Sequence, residues 1–352
     1  MAEAVLGGAV MRVIYRGLSV VLVLGLLFAL AAGFCAWRYA QAMAITSPTG
    51  IDQSGYVQIG GTEEWVQIRG EDKANPVLLW LNGGPGYSTI PQTLFYREWE
   101  KHFTVVMWDQ RGEGRSLERS GGGIVSTMTI PRMADDGIAV ADYVRKQLGK
   151  DRIILLGHSW GSILGVEMVR RRPDMFSVYI GTGQVAKLGD DLTTTYSLLL
   201  QQARSRGNRR ALVELQAVGP PPYANPEKYF VSLKWANAFD PPGSGGLVSA
   251  ASLWARLKFM LGFFSPGPML SQNKLLPEML TDDLTAAKLA VPVVIIDGDK
   301  DLVTPRNGLF FDTLSAPRKS YIILPGDGHL ALFTDPSRFL KILVTQVRPL
   351  AN

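Results

Sequence analysis

The sequence predicts an α/β fold in which helices cover both faces of a mostly parallel central sheet. Short runs that are almost entirely apolar alternate with segments of helical periodicity, and the runs are 77–81, 104–108, 152–156, 178–180, 293–296 and 321–324. Continuous apolarity is typical of strands that are buried on both faces of a sheet, and alternation with helices indicates parallel strands. A hairpin of 57–59 and 65–68 is expected to precede them.

Composition narrows the class of protein. The chain has 352 residues, of which 47% are apolar and 19% charged, so it can bury a large core. Its net charge is +5, with basic residues scattered along the chain, and this pattern argues against a nucleic-acid partner. The single cysteine, Cys35, excludes a disulfide within the chain.

An uncharged run near the N-terminus predicts a transmembrane anchor. Residues 18–37 would form a helix of about 30 Å, the thickness of the hydrocarbon core of a bilayer. Arg12 and Arg16 precede the run and Arg38 follows it, which favours a cytoplasmic N-terminus and a periplasmic or extracellular catalytic domain. A cleaved signal peptide is the alternative, since alanines between positions 40 and 44 offer small residues for cleavage. The length of the run favours a retained anchor.

The rest of the chain divides where the alternation of strands and helices stops. Residues 187–288 contain proline-rich turns and helical segments, which predicts a helical cap inserted into the core. The predicted organisation is a cytoplasmic N-terminus (1–17), an anchor (18–37), a linker (38–54), a first core segment (55–186), the cap (187–288) and a second core segment (289–352).

The motif GHSWG at 157–161 predicts a nucleophile. It follows the apolar run 152–156 and precedes a helical segment, the strand–turn–helix context in which G-x-S-x-G exposes a reactive serine. Ser159 would stand above the sheet edge, beside the N-terminal amides of the following helix.

A serine hydroxyl needs a base, and elimination selects His329. In this arrangement the histidine follows the serine in the chain. His102 precedes Ser159 and His158 adjoins it, so His329, the third of three histidines, is the remaining candidate. The orienting acid should follow the run 293–296, where Asp297, Asp299 and Asp301 occur, and spacing alone does not choose among them.

A glycine-rich loop, NGGPG at 82–86, follows the run 77–81. Its amides could donate to a developing oxyanion, with the Trp160 N–H as a second donor. A phosphate-binding loop is discounted because no G-K-[ST] follows.

Taken together, three blocks resemble the prolyl iminopeptidase branch of the α/β-hydrolases: NGGPG at 82–86, WDQRGEGRS at 108–116 and GHSWGS at 157–162. A weaker fourth block is DGDKDLVTP at 297–305. The resemblance implies an α/β-hydrolase fold, Asp301 as the acid, and Gly84 and Trp160 as the oxyanion hole. It also implies that Asp109, Arg111 and Arg115 brace the active-site loops.

The chain departs from the family pattern at two positions, with Asn82 where members usually have histidine and His158 where they usually have glycine. The family holds the free amine of its substrate with acidic cap residues. No motif identifies them in this chain, although Glu214 and Glu227 lie in the predicted cap.

The sequence therefore predicts a serine hydrolase with the triad Ser159, Asp301 and His329, acting through an acyl-enzyme and requiring no metal or organic cofactor. The expected substrates are short peptides or amino-acid amides with a free N-terminus. An esterase or lactonase with the same triad is the first alternative, and a non-catalytic binding protein on the same scaffold is the second. The expected partners are a small-molecule or short-peptide substrate and a membrane.

Overall fold

One mostly parallel sheet organises the chain. The computed structural model describes residues 2–223, 225–241, 249–262 and 265–351. Within these ranges eight strands form the sheet: β1 (Ile51–Ile59), β2 (Thr62–Gly70), β3 (Val77–Leu81), β4 (Thr104–Asp109), β5 (Ile153–His158), β6 (Phe176–Thr182), β7 (Val293–Gly298) and β8 (Lys319–Leu324).

The helices lie between and around these strands. In the described ranges the α-helices are α1 (Ala2–Met43), α2 (Gly114–Ser120), α3 (Ile130–Leu148), α4 (Trp160–Arg171), α5 (Leu188–Ser205), α6 (Arg209–Val218), α7 (Pro226–Phe239), α8 (Ala250–Gly262), α9 (Gly267–Thr281), α10 (Asn307–Thr313), α11 (Ala331–Thr334) and α12 (Pro336–Ile342). Short 3-10 helices are Ile90–Lys101, Gly122–Thr127, Pro173–Met175 and Arg348–Leu350, and Leu343–Val347 is a π-helix.

The strand order is β1-β2-β4-β3-β5-β6-β7-β8. The β1–β2 hairpin and the β2–β4 pair are antiparallel, and every pairing from β4 to β8 is parallel. This arrangement confirms the predicted mostly parallel sheet. Both hairpin strands are longer than predicted. For β1 the reason is that it is exposed along much of its length and so carries polar residues.

Both faces of the sheet are covered, which explains the continuous apolar runs. In β3, Leu79 belongs to a core cluster that includes residues of α3 and α4, whereas Leu78 and Trp80 belong to a second cluster on the opposite face. The second cluster includes Phe339 of α12. Successive side chains of a strand point to opposite faces, so a strand covered twice must be apolar throughout.

The N-terminal helix α1 contains the predicted span and continues six residues past position 37, to Met43. Its segment Tyr15–Met43 is long and apolar enough to cross a membrane. Large apolar side chains of this segment are exposed, for example Leu22 at 72% and Phe28 at 74%. Apolar side chains exposed in this number indicate a surface made for a non-aqueous environment or for another protein.

Helices α5 to α9 lie between β6 and β7 in the chain. Side chains of α5, α6 and α7 form a third core cluster, which Leu302 and Val303 from the loop after β7 complete. This packing sets α5 to α7 on the loop that carries Asp301. The structure thus places a helical layer over the carboxyl ends of the core strands.

Candidate active site

Ser159 lies on a sharp turn between β5 and α4. Its φ of 52° and ψ of −120° are unfavourable for a residue with a side chain. Added Cβ atoms would overlap the backbone of Gly161 at position 157 and the backbone of Leu81 at position 161. The turn therefore needs both glycines of the motif, and it raises the serine above the sheet edge.

His329 and Asp301 form a buried pair. His329 Nδ1 lies 2.9 Å from Asp301 Oδ2, and the side chains are nearly inaccessible. Asp301 Oδ1 also accepts hydrogen bonds from the backbone N–H groups of Val303, at 2.7 Å, and Thr304, at 2.8 Å. The carboxylate is therefore fixed in orientation by its own loop before it meets the imidazole.

The two pKa values move in the directions of an ion pair. Burial raises the pKa of Asp301, but the charge and hydrogen bond of His329 outweigh burial and leave this pKa below its ordinary value. Burial lowers the pKa of His329, but the charge and hydrogen bond of Asp301 outweigh burial and leave this pKa raised. Each partner thus stabilises the charged form of the other.

The two other carboxylates of the 297–301 loop have different partners. Asp297 is the penultimate residue of β7 and accepts a hydrogen bond from the Gln184 N–H at 3.3 Å. Its burial, together with the charge of Asp301, raises its pKa to about 7. Asp299 accepts from the Gly326 N–H at 2.7 Å. Of the three carboxylates that spacing left open, Asp301 is the one that hydrogen-bonds His329.

The serine turn and the histidine loop meet at the same edge of the sheet. The Ser159 N–H donates to the carbonyl of Thr182 at the end of β6. The next residue, Gly183, is so close to the imidazole that an added Cβ would lie 2.7 Å from His329 Cε1. His158 Nε2 lies 3.1 Å from the backbone carbonyl oxygen of His329. These contacts join the strand ends that carry the two side chains.

His158 is a buried neutral histidine. Burial, with a further contribution from the charge of His329, lowers its pKa to about 3. Because the ring is neutral near pH 7, its Nε2–H can donate to the His329 carbonyl and hold the backbone of that loop. These contacts make His158 a packing and hydrogen-bonding residue.

The glycine-rich loop after β3 reaches the serine turn. An added Cβ at Gly83 would lie 3.1 Å from Ser159 Cβ. Gly84 and Gly86 have φ values of 129° and 93°, which strongly favour glycine. The loop therefore passes close to Ser159. Gly84 is the residue after Gly83, which makes this contact, and Trp160 is the residue after Ser159.

Asn82 ties this loop to the 108–116 block. Its side-chain amide donates to Glu113 at 3.0 Å and to the carbonyl of Tyr87. Its oxygen accepts from Gln110 at 3.0 Å, and Gln110 in turn accepts from the Trp160 indole at 3.0 Å. Asparagine thus makes a chain of hydrogen bonds from the glycine loop to the start of α4, at a position where the resemblance suggested histidine.

The charged residues of the 108–116 block are committed to structural contacts. Arg111 pairs with buried Asp136 at 2.7 Å. Asp109 accepts from the backbone N–H of Arg115 at 2.9 Å. The first contact ties the block to α3 and the second holds the turn after β4, while the bracing of the active-site loops that the resemblance implied remains a prediction.

Asp240, just after α7, is a residue of the site that the sequence did not reveal. Its carboxylate accepts from the backbone N–H groups of His329, at 2.9 Å, and Leu330, at 3.3 Å. An added Cβ at Gly328 would overlap this carboxylate. Asp240 lies 89 positions before His329 in the chain, so only the folded chain brings the two together.

Among the described residues, no group of three or more His, Cys, Asp or Glu side chains is arranged to hold a metal ion. The groups that converge at the carboxyl edge of the sheet are a serine, an imidazole–carboxylate pair and glycine amides. This set suits acyl transfer, in which a hydroxyl attacks a carbonyl and a base moves the proton.

Fold and site define a class of protein. A family model described as "Alpha/beta hydrolase family" matches residues 78–342, and the chain belongs to that family. The predicted fold is thereby confirmed, and the protein is a hydrolase by family.

Similar proteins place the chain near one branch of the α/β-hydrolases. The chain is 29% identical to the probable aminopeptidase YbaC of Bacillus subtilis (strain 168) over 83% of this chain and 95% of the relative. It is 24% identical to a proline iminopeptidase of Lactobacillus delbrueckii subsp. lactis over 82% of this chain and 95% of the relative. A solved proline iminopeptidase-related protein from Thermus thermophilus has a TM-score of 0.61 at 22% identity, covering 86% of this chain and 99% of that one. The resemblance to this branch is confirmed.

Proposed function

We propose that this protein is a serine hydrolase that cleaves short peptides or amino-acid amides from a free N-terminus through an acyl-enzyme on Ser159. The observation that carries the proposal is the 2.9 Å contact between His329 and Asp301 beside the strained turn of Ser159. Relatives named as an aminopeptidase and a proline iminopeptidase support the substrate class.

In the proposed reaction, Ser159 Oγ attacks the substrate carbonyl while His329 Nε2 accepts its proton. Asp301 holds Nδ1–H and stabilises the imidazolium that forms. The backbone N–H groups of Gly84 and Trp160 donate to the oxyanion, a contribution of about 3 kcal/mol per donor. His329 then protonates the leaving amine, and water, activated by the same imidazole, releases the acyl group from Ser159.

A substrate panel tests this function. The purified full chain is assayed against aminoacyl aryl amides with free and with acetylated N-termini, and Ser159→Ala serves as the matched control. The proposal expects turnover of the free-amine substrates, weaker turnover of the acetylated ones, and loss of both in the variant. Turnover of p-nitrophenyl esters without amide cleavage would reject the aminopeptidase assignment while leaving the serine hydrolase intact.

One observation favours the esterase alternative. Glu214, a cap glutamate considered for amine binding, already contacts Lys234 and lies 2.9 Å from both Arg210 and the Trp235 indole. Its hydrogen bond from Lys234, followed by that from Arg210, lowers its pKa to about 2. A carboxylate paired in this way has little capacity left for a substrate amine, which leaves Glu227 as the other cap glutamate considered for that role. If Glu227 does not bind an amine either, the same triad would serve small esters.

We also propose that α1 is retained as a membrane anchor, with the hydrolase domain in the periplasm or extracellular space. The length and apolar surface of Tyr15–Met43 support a span, and Arg12 and Arg16 support the orientation. The mass of the mature protein from the membrane fraction tests retention, because a cleaved leader would remove about 40 residues. Protease protection in sealed cells tests the side on which the domain lies.

A further inference from the structure

Helix α8 carries an apolar stripe on its outer surface. Leu253, Leu257, Met260 and Leu261 are exposed by 50%, 42%, 60% and 59%. Their spacing of four, three and one residues places them on one side of a helix. Four large apolar side chains exposed together on one helix are unusual for a surface that faces water.

This stripe lies beside the helix that is apolar enough to span a membrane. α8 packs against α1, and Lys258 Nζ lies 4.0 Å from the centre of the Tyr39 ring. The partly covered residues of α1 continue from Tyr39 through Ala36 and Cys35 to Ala32, all on one face. Ala32 is seven residues before Tyr39, about 10 Å along the helix, so the covered face extends into the apolar run.

The charge of α8 suits a bilayer surface. Its sequence, AASLWARLKFMLG, contains Arg256 and Lys258 and no acidic residue. Helices that lie in the membrane interface combine an apolar face with basic residues that meet anionic lipid headgroups. Trp37, which is half exposed, and Tyr39 stand where interfacial aromatic residues of a span are expected.

We propose that α8 is an interfacial helix whose apolar stripe inserts into the outer part of the lipid bilayer, next to the anchor. This inference rests on the proposed anchor but is independent of the proposed reaction. The lipid surface is favoured as the occupant because the stripe lies on a helix that packs against α1, whose large apolar side chains are themselves exposed, and because α8 carries only basic charges.

Docking in this way has a consequence for the site. A cavity of about 930 Å³ lies between α1, α8 and the glycine-rich loop, and its lining includes Tyr39, Leu261, Gly86 and Tyr87. The bilayer would then lie next to a cavity whose wall adjoins the proposed oxyanion loop. Molecules that partition into the membrane surface would be concentrated there.

Depth-dependent fluorescence quenching tests the proposal on the full chain. In a Cys35→Ser background, single cysteines replace Leu27 in the anchor, Leu253 or Leu257 in α8, and Val213 on the exposed surface of α6. Each is labelled with an environment-sensitive fluorophore and reconstituted into phosphatidylethanolamine–phosphatidylglycerol vesicles that contain doxyl-labelled lipid. We expect blue-shifted, quenched emission at positions 27, 253 and 257, and unshifted, unquenched emission at 213.

The controls separate the possible failures. Quenching at position 27 with none at 253 and 257 would overturn the α8 proposal and leave the anchor standing. A blue shift at 253 and 257 without quenching by lipid would also overturn it, since that result indicates a protein partner or a second copy. Absence of quenching at all positions would overturn both the anchor and the docking of α8. None of these readouts depends on enzymatic activity.

Discussion

At the scale of single residues, the site depends on how His329 is held. Its side chain contacts Asp301, and its backbone contacts Asp240 and His158. Three groups from separate parts of the chain therefore fix one imidazole. Fixing the base and its tautomer is what allows a histidine to accept the proton of a weakly acidic hydroxyl.

Removing the charge of Asp301 tests its role directly. Asp301→Asn keeps the shape of the side chain but favours the wrong imidazole tautomer, so we expect kcat to fall by about 10³- to 10⁴-fold. Asp299→Asn is the matched control, because Asp299 bonds the Gly326 N–H instead of the imidazole. Steady-state kinetics of both variants measure the difference. Equal loss in the two variants would remove Asp301 from the triad.

Asp240 acts through His329, and its signature is a change in pH dependence. The pKa of His329 is raised by several groups, first by Asp301 and then by Asp240. The base must be neutral, so activity falls as pH drops through this pKa. Asp240→Asn removes one negative charge, lowers the pKa of His329 and should move the acid limb of kcat/KM to lower pH.

The pH profile distinguishes an electrostatic effect of Asp240 on His329 from a loss of activity caused by disruption of the loop. Asp240→Ala also removes the acceptor, so it should reduce kcat in addition to shifting the limb. Asp299→Asn should leave the limb nearly in place, since Asp299 bonds the Gly326 N–H and is not one of the main contributors to this pKa. An unchanged limb in Asp240→Asn would show that Asp240 has no electrostatic effect on the base.

At the scale of elements, the turn between β5 and α4 holds Ser159 in a strained backbone conformation. The strain lowers the free energy of unfolding, and the turn directs the side chain of the nucleophile away from the sheet. Ser159 has a positive φ because the strand and helix meet at a sharp angle. Residues held in such conformations cost about 1–3 kcal/mol. The compact packing of both flanking glycines shows that neighbouring backbone segments enforce the turn.

This strain gives a stability prediction. Ser159→Gly relieves it, because glycine adopts positive φ freely. After the greater flexibility of glycine in the unfolded chain is subtracted, we expect about 1 kcal/mol more stability than in Ser159→Ala, which for a chain of 352 residues is a Tm higher by about 1–2 °C. Thermal unfolding of the two inactive variants measures this difference. A lower Tm for Ser159→Gly would mean that the turn carries no strain at this position.

The strands of the sheet could be predicted from the sequence, but the acid of the site could not be chosen from spacing. The parallel strands were predictable because burial on two faces leaves a local apolar signal in β3, β4, β5 and β7. The choice of Asp301 could not come from spacing, since the direction of each carboxylate depends on the turn after β7. Here the resemblance supplied the choice, and the contact with His329 agrees with it.

At the scale of the whole molecule, long-range contacts were beyond the sequence. Asp240 meets His329 only because α5 to α7 pack on the loop after β7 through Leu302 and Val303. The contact between α1 and α8 joins segments more than 200 residues apart in the chain, and no local sequence pattern predicts it. The division of the chain into an anchor, a core and a cap remains a prediction. The α/β-hydrolase fold is confirmed.

If Ser159 is a nucleophile activated by His329, it should react covalently with a probe for activated serines. The full chain is treated with a fluorophosphonate, and the modified peptide is identified by mass spectrometry in wild type, His329→Ala and the control His102→Ala. We expect a single modification at Ser159 that is lost or greatly slowed in His329→Ala and retained in His102→Ala. Modification at another residue, or an equal rate of labelling without His329, would contradict it.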